Sequence, residues 1–413
     1  MSNPIFFFIL LSFSLHRLSF TMSTSALTTI TTARPRKPQV ITLKPPSPRL
    51  HTRRHSQSTA SESLEKHDQP SRSRSLSTSV LPSQEDGSFT EQLLASVNSK
   101  IREIEDADST GILRYVDDQV HEKWDTAKAA VVGAQRLLSF DELPNEWQEN
   151  QYILTGYRFY QSNRACLKSI FALHNETMNI WSHLIGFVFF AGLGVYAFNK
   201  QFPEATTNDR AITLTFFLAA LKCLICSSIY HTFICHSQHA IKSFTATLDY
   251  IGISILITAS VLMTEYYSYY CRPVAKFRYM MFTALVGSTG IVMPMFPFWD
   301  TKPFRPVRIG VFLLMAFSSA VPVVHITFLN GPSSTWEFLK PVWYSVAMYL
   351  FGVAIYANRF PEKMYPGRFD FAGLHSHAIW HIFVCLGIFF HYRASLHFYA
   401  QRYTFGCAMH LDS

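Results

Sequence analysis

Residues 376–398 read SHAIWHIFVCLGIFFHYRASLHF. Arg393 is the one Lys, Arg, Asp or Glu in this run, which exceeds the ~20 residues that carry a helix through a ~30 Å hydrocarbon layer. The run opens on His377 and His381. Their spacing of four places both imidazoles on one helical face, stacked by one turn. A membrane helix with two nitrogen ligands at one end is the first expectation.

Six further apolar segments precede it, at about 178–198, 211–234, 249–270, 277–296, 308–329 and 338–358. Backbone polar groups in lipid must be satisfied within the segment or within a closed barrel, and runs this long exclude strands. Charges and prolines collect in the short connections (Lys200–Pro203, Arg272–Pro273, Asp300–Pro306, Arg359–Arg368). The fold class is therefore all-α: a seven-transmembrane helix bundle. Seven crossings put the two ends of the bundle's chain on opposite sides. Lys and Arg are slightly more numerous on the N-terminal side, which favours a cytosolic N-terminus.

The bundle occupies residues 141–413 and follows a disordered and partly helical N-terminal extension. Within the leader-like and Ser/Pro-rich tail of residues 1–87, residues 23–87 are dominated by Ser, Thr, Pro and Arg (PPSPRLHTRRHS, SRSRSLSTS). They offer too little apolar surface to offset the entropy of ordering them. Residues 5–15 (IFFFILLSFSL) look like a leader core but lack a basic flank and an A-x-A cleavage pattern, and Met22 offers a second start. Residues 88–140 read as a soluble amphipathic helical region. It opens on a Ser88/Glu91 capping box and continues from Ile112 to Val132 with Val116, Val120 and Trp124 on one face. The net charge of +8 comes without aromatics interleaved in the basic tail, so no nucleic-acid partner is expected; anionic lipid headgroups suit it equally well. Seven cysteines (166, 223, 226, 235, 271, 385, 407) have no framework spacing, and reduced, buried thiols are the expectation.

Connectivity brings more polar groups to the depth of His377 and His381. The second segment ends on the same side at His231, and the third starts there with Asp249. Three neutral imidazoles suit zinc and leave a fourth position open, the pattern of a catalytic site. Asp249 would orient or deprotonate a water, and Ser227, one turn before His231, would reach a neighbouring group. Carboxylates inside a membrane are costly and mark function. A lone membrane histidine more often hydrogen-bonds a neighbouring helix, and His183, His325, His391 and His397 are read that way. Cys223 and Cys226 read as packing. Lys222 falls near mid-bilayer, where snorkelling or pairing with Glu265 would relieve it, unless it marks a wrong span limit.

Longer motifs resemble the progestin and adipoQ receptor family, the adiponectin-receptor-like and haemolysin-III-related group. They are ENQYILTGYR at 149–158, CLKSIFALHNETMNIWSH at 166–183, Ser227-x-x-x-His231 with Cys235-His236-Ser237, Leu248-Asp249-Tyr250-x-Gly252-Ile253, and Ser376-His377-x-x-x-His381. The likeness covers roughly residues 143–400, with the HNET-x-NIW stretch closest to the adiponectin-receptor-like and fungal branch. Lys222 and the long tail depart from it. The resemblance implies a cytosolic N-terminus, Zn2+ on His231, His377 and His381, a water held by Asp249 and a lipid-accessible cavity. It implies a receptor, with roles in lipid, sterol and zinc homeostasis and hydrolysis of a ceramide-like lipid amide. Membrane lipids (ceramide, sphingolipid or sterol-like) and an extracellular protein ligand are the implied partners.

Two functions stay open. One is a zinc-dependent receptor-hydrolase with Asp249 as base and Ser227 steadying the oxyanion. The other is a non-enzymatic receptor or sensor whose zinc ties helices together. A zinc transporter would need ligands strung across the bilayer, whereas this cluster sits at one face.

Overall fold

The computed structural model describes residues 110–407, with side chains from residue 120 onward. The leader-like run, the Ser/Pro-rich tail and the Ser88 capping box lie outside the described residues. The first described helix, α1 (Thr110–Gly133), ends in a small apolar cluster of Ala129, Ala130, Leu138, Leu143, Trp147 and Phe159. Trp147 meets Phe159 edge-on, with ring centroids 5.1 Å apart. A short helix α2 (Asn163–Lys168) then leads to the bundle.

The bundle comprises α3 (Thr177–Lys200), α4 (Thr207–Phe233), α5 (His239–Ser268), α6 (Pro273–Val292), α7 (Arg305–Phe317), α8 (Ala320–Asn330), α9 (Pro332–Asn358) and α10 (Ser376–Ala400). Among the described residues, six spans are long and apolar enough to cross a membrane, α7 and α8 together making one of them. The seventh, α6, has 20 residues and carries Lys276 and Arg278 in its first two turns. The chain is thus an integral, multi-pass, seven-helix membrane protein. Helices α3 to α6 pack in sequence, and α10 lies against α3, α5 and α9.

Helices α4 and α5 are the most enclosed, while α7–α8 and α9 expose most of their surface. Lipid tails provide no hydrophobic drive between helices, so small residues that admit close backbone approach hold such bundles together. Gly252 of α5 is such a contact: a Cβ there would stand 3.0 Å from Cys223 Cα on α4.

Three expectations need correction. The third helix starts at His239, not near 249, so Asp249 lies in its third turn. The preceding decad mixes polar and apolar residues, and its buried Lys242 donates to the Glu146 carbonyl at 2.7 Å and pairs with Glu149 at 2.9 Å. Helix built on such bonds leaves no apolar run to detect. The fifth span is two helices, broken at Ser318 and Ser319 ahead of Pro322. Proline lacks the N–H that would continue the ladder, and its own carbonyl instead accepts from Tyr269 Oη at 2.6 Å. Finally, Cys271 and Cys407 are not free thiols but a disulfide. They lie far apart in sequence, and only the return of α10 to the α5–α6 end brings them together.

Candidate metal centre

His231 sits in the last turn of α4, and His377 and His381 in the first two turns of α10. One ligand nitrogen of each lies within 4.8 Å of the others, a grouping that could hold a metal ion. Nε2 of His231 and Nε2 of His377 are 3.2 Å apart. The His381 ring centroid lies 4.8 Å from those of both His231 and His377.

The outer nitrogens are fixed by α3. Glu176, which caps its start, places Oε2 2.7 Å from Nδ1 of His231 and also accepts from Asn179 Nδ2 at 2.6 Å. The Asn179 carbonyl takes Nδ1 of His381 at 3.0 Å. With both Nδ1 atoms engaged, the Nε2 atoms are left for the centre. Such outer partners set the tautomer and the ring orientation of ligating histidines.

The backbone beneath the ligands is held as firmly. Arg158, 3% exposed, donates Nη2 to the His231 carbonyl at 2.7 Å. Glu362 caps α10 by accepting from Ser376 N at 2.8 Å and from its hydroxyl, which satisfies a backbone donor that a helix start leaves orphaned. Asp370 accepts from the amides of Leu154 and Thr155, each at 2.8 Å. Tyr356 of α9 covers His377, with centroids 5.0 Å apart.

Of the predicted residues, the structure brings His231, His377 and His381 together. Asp249 is not among the grouped ligands. It is buried, lies within electrostatic reach of His231, Cys223 and Cys226, and makes no hydrogen bond among the described residues. Ser227 is buried, and its Oγ has no partner among them. His183 does not behave as a helix-linking hydrogen bonder. Its ring lies flat on His381, with centroids 3.8 Å apart and planes 7° apart, and neither nitrogen has a partner of normal geometry among the described residues. His325 does fit that class, lying 3.3 Å from the Tyr269 hydroxyl. Glu265 accepts from Thr283 Oγ1 at 2.7 Å. Sequence reasoning gave no role to Glu176, Asn179 or Arg158. Their signal was an acid and an amide placed one and three residues around the start of a membrane helix.

These features define a seven-helix membrane protein with a three-histidine centre at the end of the bundle that faces its N-terminal segments. The chain belongs to the haemolysin-III related family, whose profile matches residues 171–392. It is 39% identical over 283 residues to an uncharacterised protein of Schizosaccharomyces pombe, covering 68% of this chain and 64% of that one. It is 35% identical over 260 residues to the adiponectin receptor protein of Drosophila melanogaster, covering 62% and 58%. It is 34% identical over 286 residues to heptahelical transmembrane protein 1 of Arabidopsis thaliana, covering 66% and 84%. The first two matches take in less than two thirds of those relatives' own lengths.

Proposed function

We propose that this chain is a zinc-binding membrane receptor of the adiponectin-receptor-like kind, and that its centre hydrolyses a ceramide-like lipid amide. The observation that carries the reading is the donor set of three clustered imidazoles, those of His231 and His381 buried and that of His377 half-buried. Two ligands held ~2.0–2.1 Å from a tetrahedral zinc stand roughly 3.3 Å from each other, and Nε2 of His231 and Nε2 of His377 are 3.2 Å apart. His231, His377 and His381 would hold the ion. Zinc in such a site supplies Lewis-acid activation of a carbonyl or of water near neutral pH.

The protein's own groups supply the rest. Asp249, free of hydrogen bonds among the described residues, is the general base that holds and deprotonates water. Ser227, whose hydroxyl is uncommitted, donates to the oxyanion that develops on the amide. Membrane lipids are the substrate class, and an extracellular protein is the kind of activating ligand a receptor of this group takes. The resemblance to this family adds a place in lipid, sterol or zinc homeostasis to the reading.

The Cys271–Cys407 disulfide supports the orientation. It lies at the end of the bundle opposite the histidines, and disulfides persist in oxidising compartments. The histidine end and the N-terminal segments then face the cytosol.

The test is release of free fatty acid from ceramide by the purified full chain, with bound zinc measured alongside. His381→Ala should lose both metal and turnover. Asp249→Asn should keep the metal and lose turnover by a factor on the order of 10²–10⁴. Bound zinc without any turnover would sink the hydrolase and leave a second reading, a receptor whose zinc is a clamp. That reading is favoured by the bonds from Glu176 and Asn179, which already tie α3 to the ligands on α4 and α10.

A further inference from the structure

Two cysteines meet on the face of the bundle that bears the histidines. Cys166, in α2, and Cys235, in the turn after α4, are free and place their sulfurs 3.7 Å apart. They come from segments 69 residues apart, and both are buried. A disulfide holds its sulfurs at about 2.05 Å, so roughly 1.7 Å of closure separates this contact from a bond.

The surroundings can supply that movement. Cys166 belongs to a six-residue helix whose Asn163, Arg164, Leu167 and Lys168 are exposed, so a single helical layer stands between the sulfurs and water. Cys235 lies beyond the end of α4, in a turn strapped to Tyr160 through Tyr160 N to Cys235 O at 2.9 Å and Ser237 N to Tyr160 O at 2.8 Å. Its backbone is anchored while its side chain faces Cys166 on the short helix α2.

Buried thiols are ordinarily inert, and reactive ones sit beside positive charge. Here the buried Arg158 guanidinium lies alongside and donates to Ser169 Oγ, which in turn donates to the Cys166 carbonyl at 2.6 Å. The two thiols share one hydrogen bond and are thereby split. As a thiol Cys235 donates to Cys166 Sγ at 3.7 Å and to the Thr232 carbonyl at 3.4 Å; it is held below its ordinary value first by its hydrogen bond with Cys166 and further by Arg158, against the effect of burial. Cys166 is driven up by the same bond and by burial. The arrangement therefore contains an attacking sulfur and a resolving one.

We propose that Cys166 and Cys235 are a peroxide-oxidisable dithiol, a modification site on the histidine-bearing face of the membrane domain. The Cys235 thiolate attacks hydrogen peroxide, forming a sulfenic acid and releasing hydroxide, which takes up the thiol's proton to leave as water. Cys166 sulfur then attacks the sulfenic sulfur, and a second water leaves with the Cys166 proton. Two thiols and one peroxide thus give one disulfide and two waters. The site stands whether or not the metal centre is catalytic.

The experiment uses the full chain in lipid nanodiscs, first reduced, then treated with hydrogen peroxide, alkylated, digested and read by mass spectrometry. The expected product is a cross-linked peptide joining Cys166 to Cys235, about two mass units lighter than its parts and reversed by dithiothreitol. Cys166→Ser should leave Cys235 as a sulfenic acid that dimedone captures. Re-formation of Cys271–Cys407 in the same sample serves as the positive control. If that bridge returns while Cys166 and Cys235 both stay fully alkylatable, or if Cys235 pairs with any other cysteine, the proposal is overturned.

Discussion

Oε2 of Glu176 lies 2.7 Å from Nδ1 of His231, so a residue just before the first membrane helix orients a ligand at the end of the second. The contact keeps the proton on Nδ1 and leaves Nε2 as a donor to an ion. Removing partners of this kind typically costs 10–100-fold in metal affinity. Glu176→Ala should therefore lower zinc affinity about 10–100-fold while helix content stays unchanged. Chelator competition on the folded variant measures it, and an affinity equal to that of the unaltered protein would remove Glu176 from the centre.

The grouping of His231, His377 and His381 was legible in the sequence and the contacts that support it were not, for a physical reason. His377 and His381 share a helix at a spacing that fixes their common face, and His231 follows from counting crossings. Glu176, Asn179 and Arg158 act through contacts between segments whose relative rotation no periodicity records. Asp249 was expected at the start of its helix and lies in the third turn, because Lys242 and its acceptors extend α5 back through a decad of mixed polarity. The disulfide was missed because nothing in the spacing of Cys271 and Cys407 indicates that both chain segments turn at the same end of the bundle.

That bridge yields a second prediction. It closes a loop with a sequence separation of 136, for which chain entropy alone would give about 5 kcal/mol in a fully unfolded reference. Helices that stay inserted in lipid when their packing loosens have less freedom to lose, so Cys407→Ser should cost clearly less than that, on the order of 1–3 kcal/mol. Arg402, 3.6 Å from the buried Asp209, holds the same C-terminal segment and limits the damage. Thermal denaturation in detergent tests the magnitude. Labelling tests the orientation: after reduction of intact cells, a membrane-impermeant maleimide should reach Cys271 and Cys407. Protection of both would reverse the assigned sidedness.

The loop into α10 contains a third point of sensitivity. Gly373 has φ +74°, a conformation that costs residues with a Cβ roughly 1 kcal/mol or more. A Cβ there would lie 2.0 Å from the Asn175 carbonyl oxygen, so the loop before α10 and the turn before α3 must part to admit it. Those two segments lead directly to His377 and to Glu176. Gly373→Ala should destabilise the protein by about 2–4 kcal/mol and weaken metal retention with it. A variant as stable as the parent, judged by its melting temperature, would show that the approach is not needed.

His174 gives the pH dependence. Its Nδ1 accepts from the amide of Glu176 at 3.0 Å and its Nε2 lies 3.0 Å from the Ser169 carbonyl, so the ring serves as one acceptor and one donor and must be neutral. Burial, with help from the nearby Arg158 charge, lowers its pKa from 6.5 to about 4. Between those values the unfolded chain binds a proton that the folded protein refuses, so folding stability from this group is intact above pH 6.5 and declines as pH falls towards 4. The full loss would approach roughly 3 kcal/mol at 1.36 kcal/mol per unit. Acid also protonates metal ligands, so the readout is a difference: unaltered protein against His174→Gln, which keeps a donor for Ser169 and cannot gain the charge. The glutamine variant should start less stable above pH 6.5, because the Glu176 amide loses its acceptor, and the gap should narrow or invert as pH falls to 4. A gap that stays constant across that range in thermal melts would mean that His174 titrates at its ordinary value and does not couple this turn to pH.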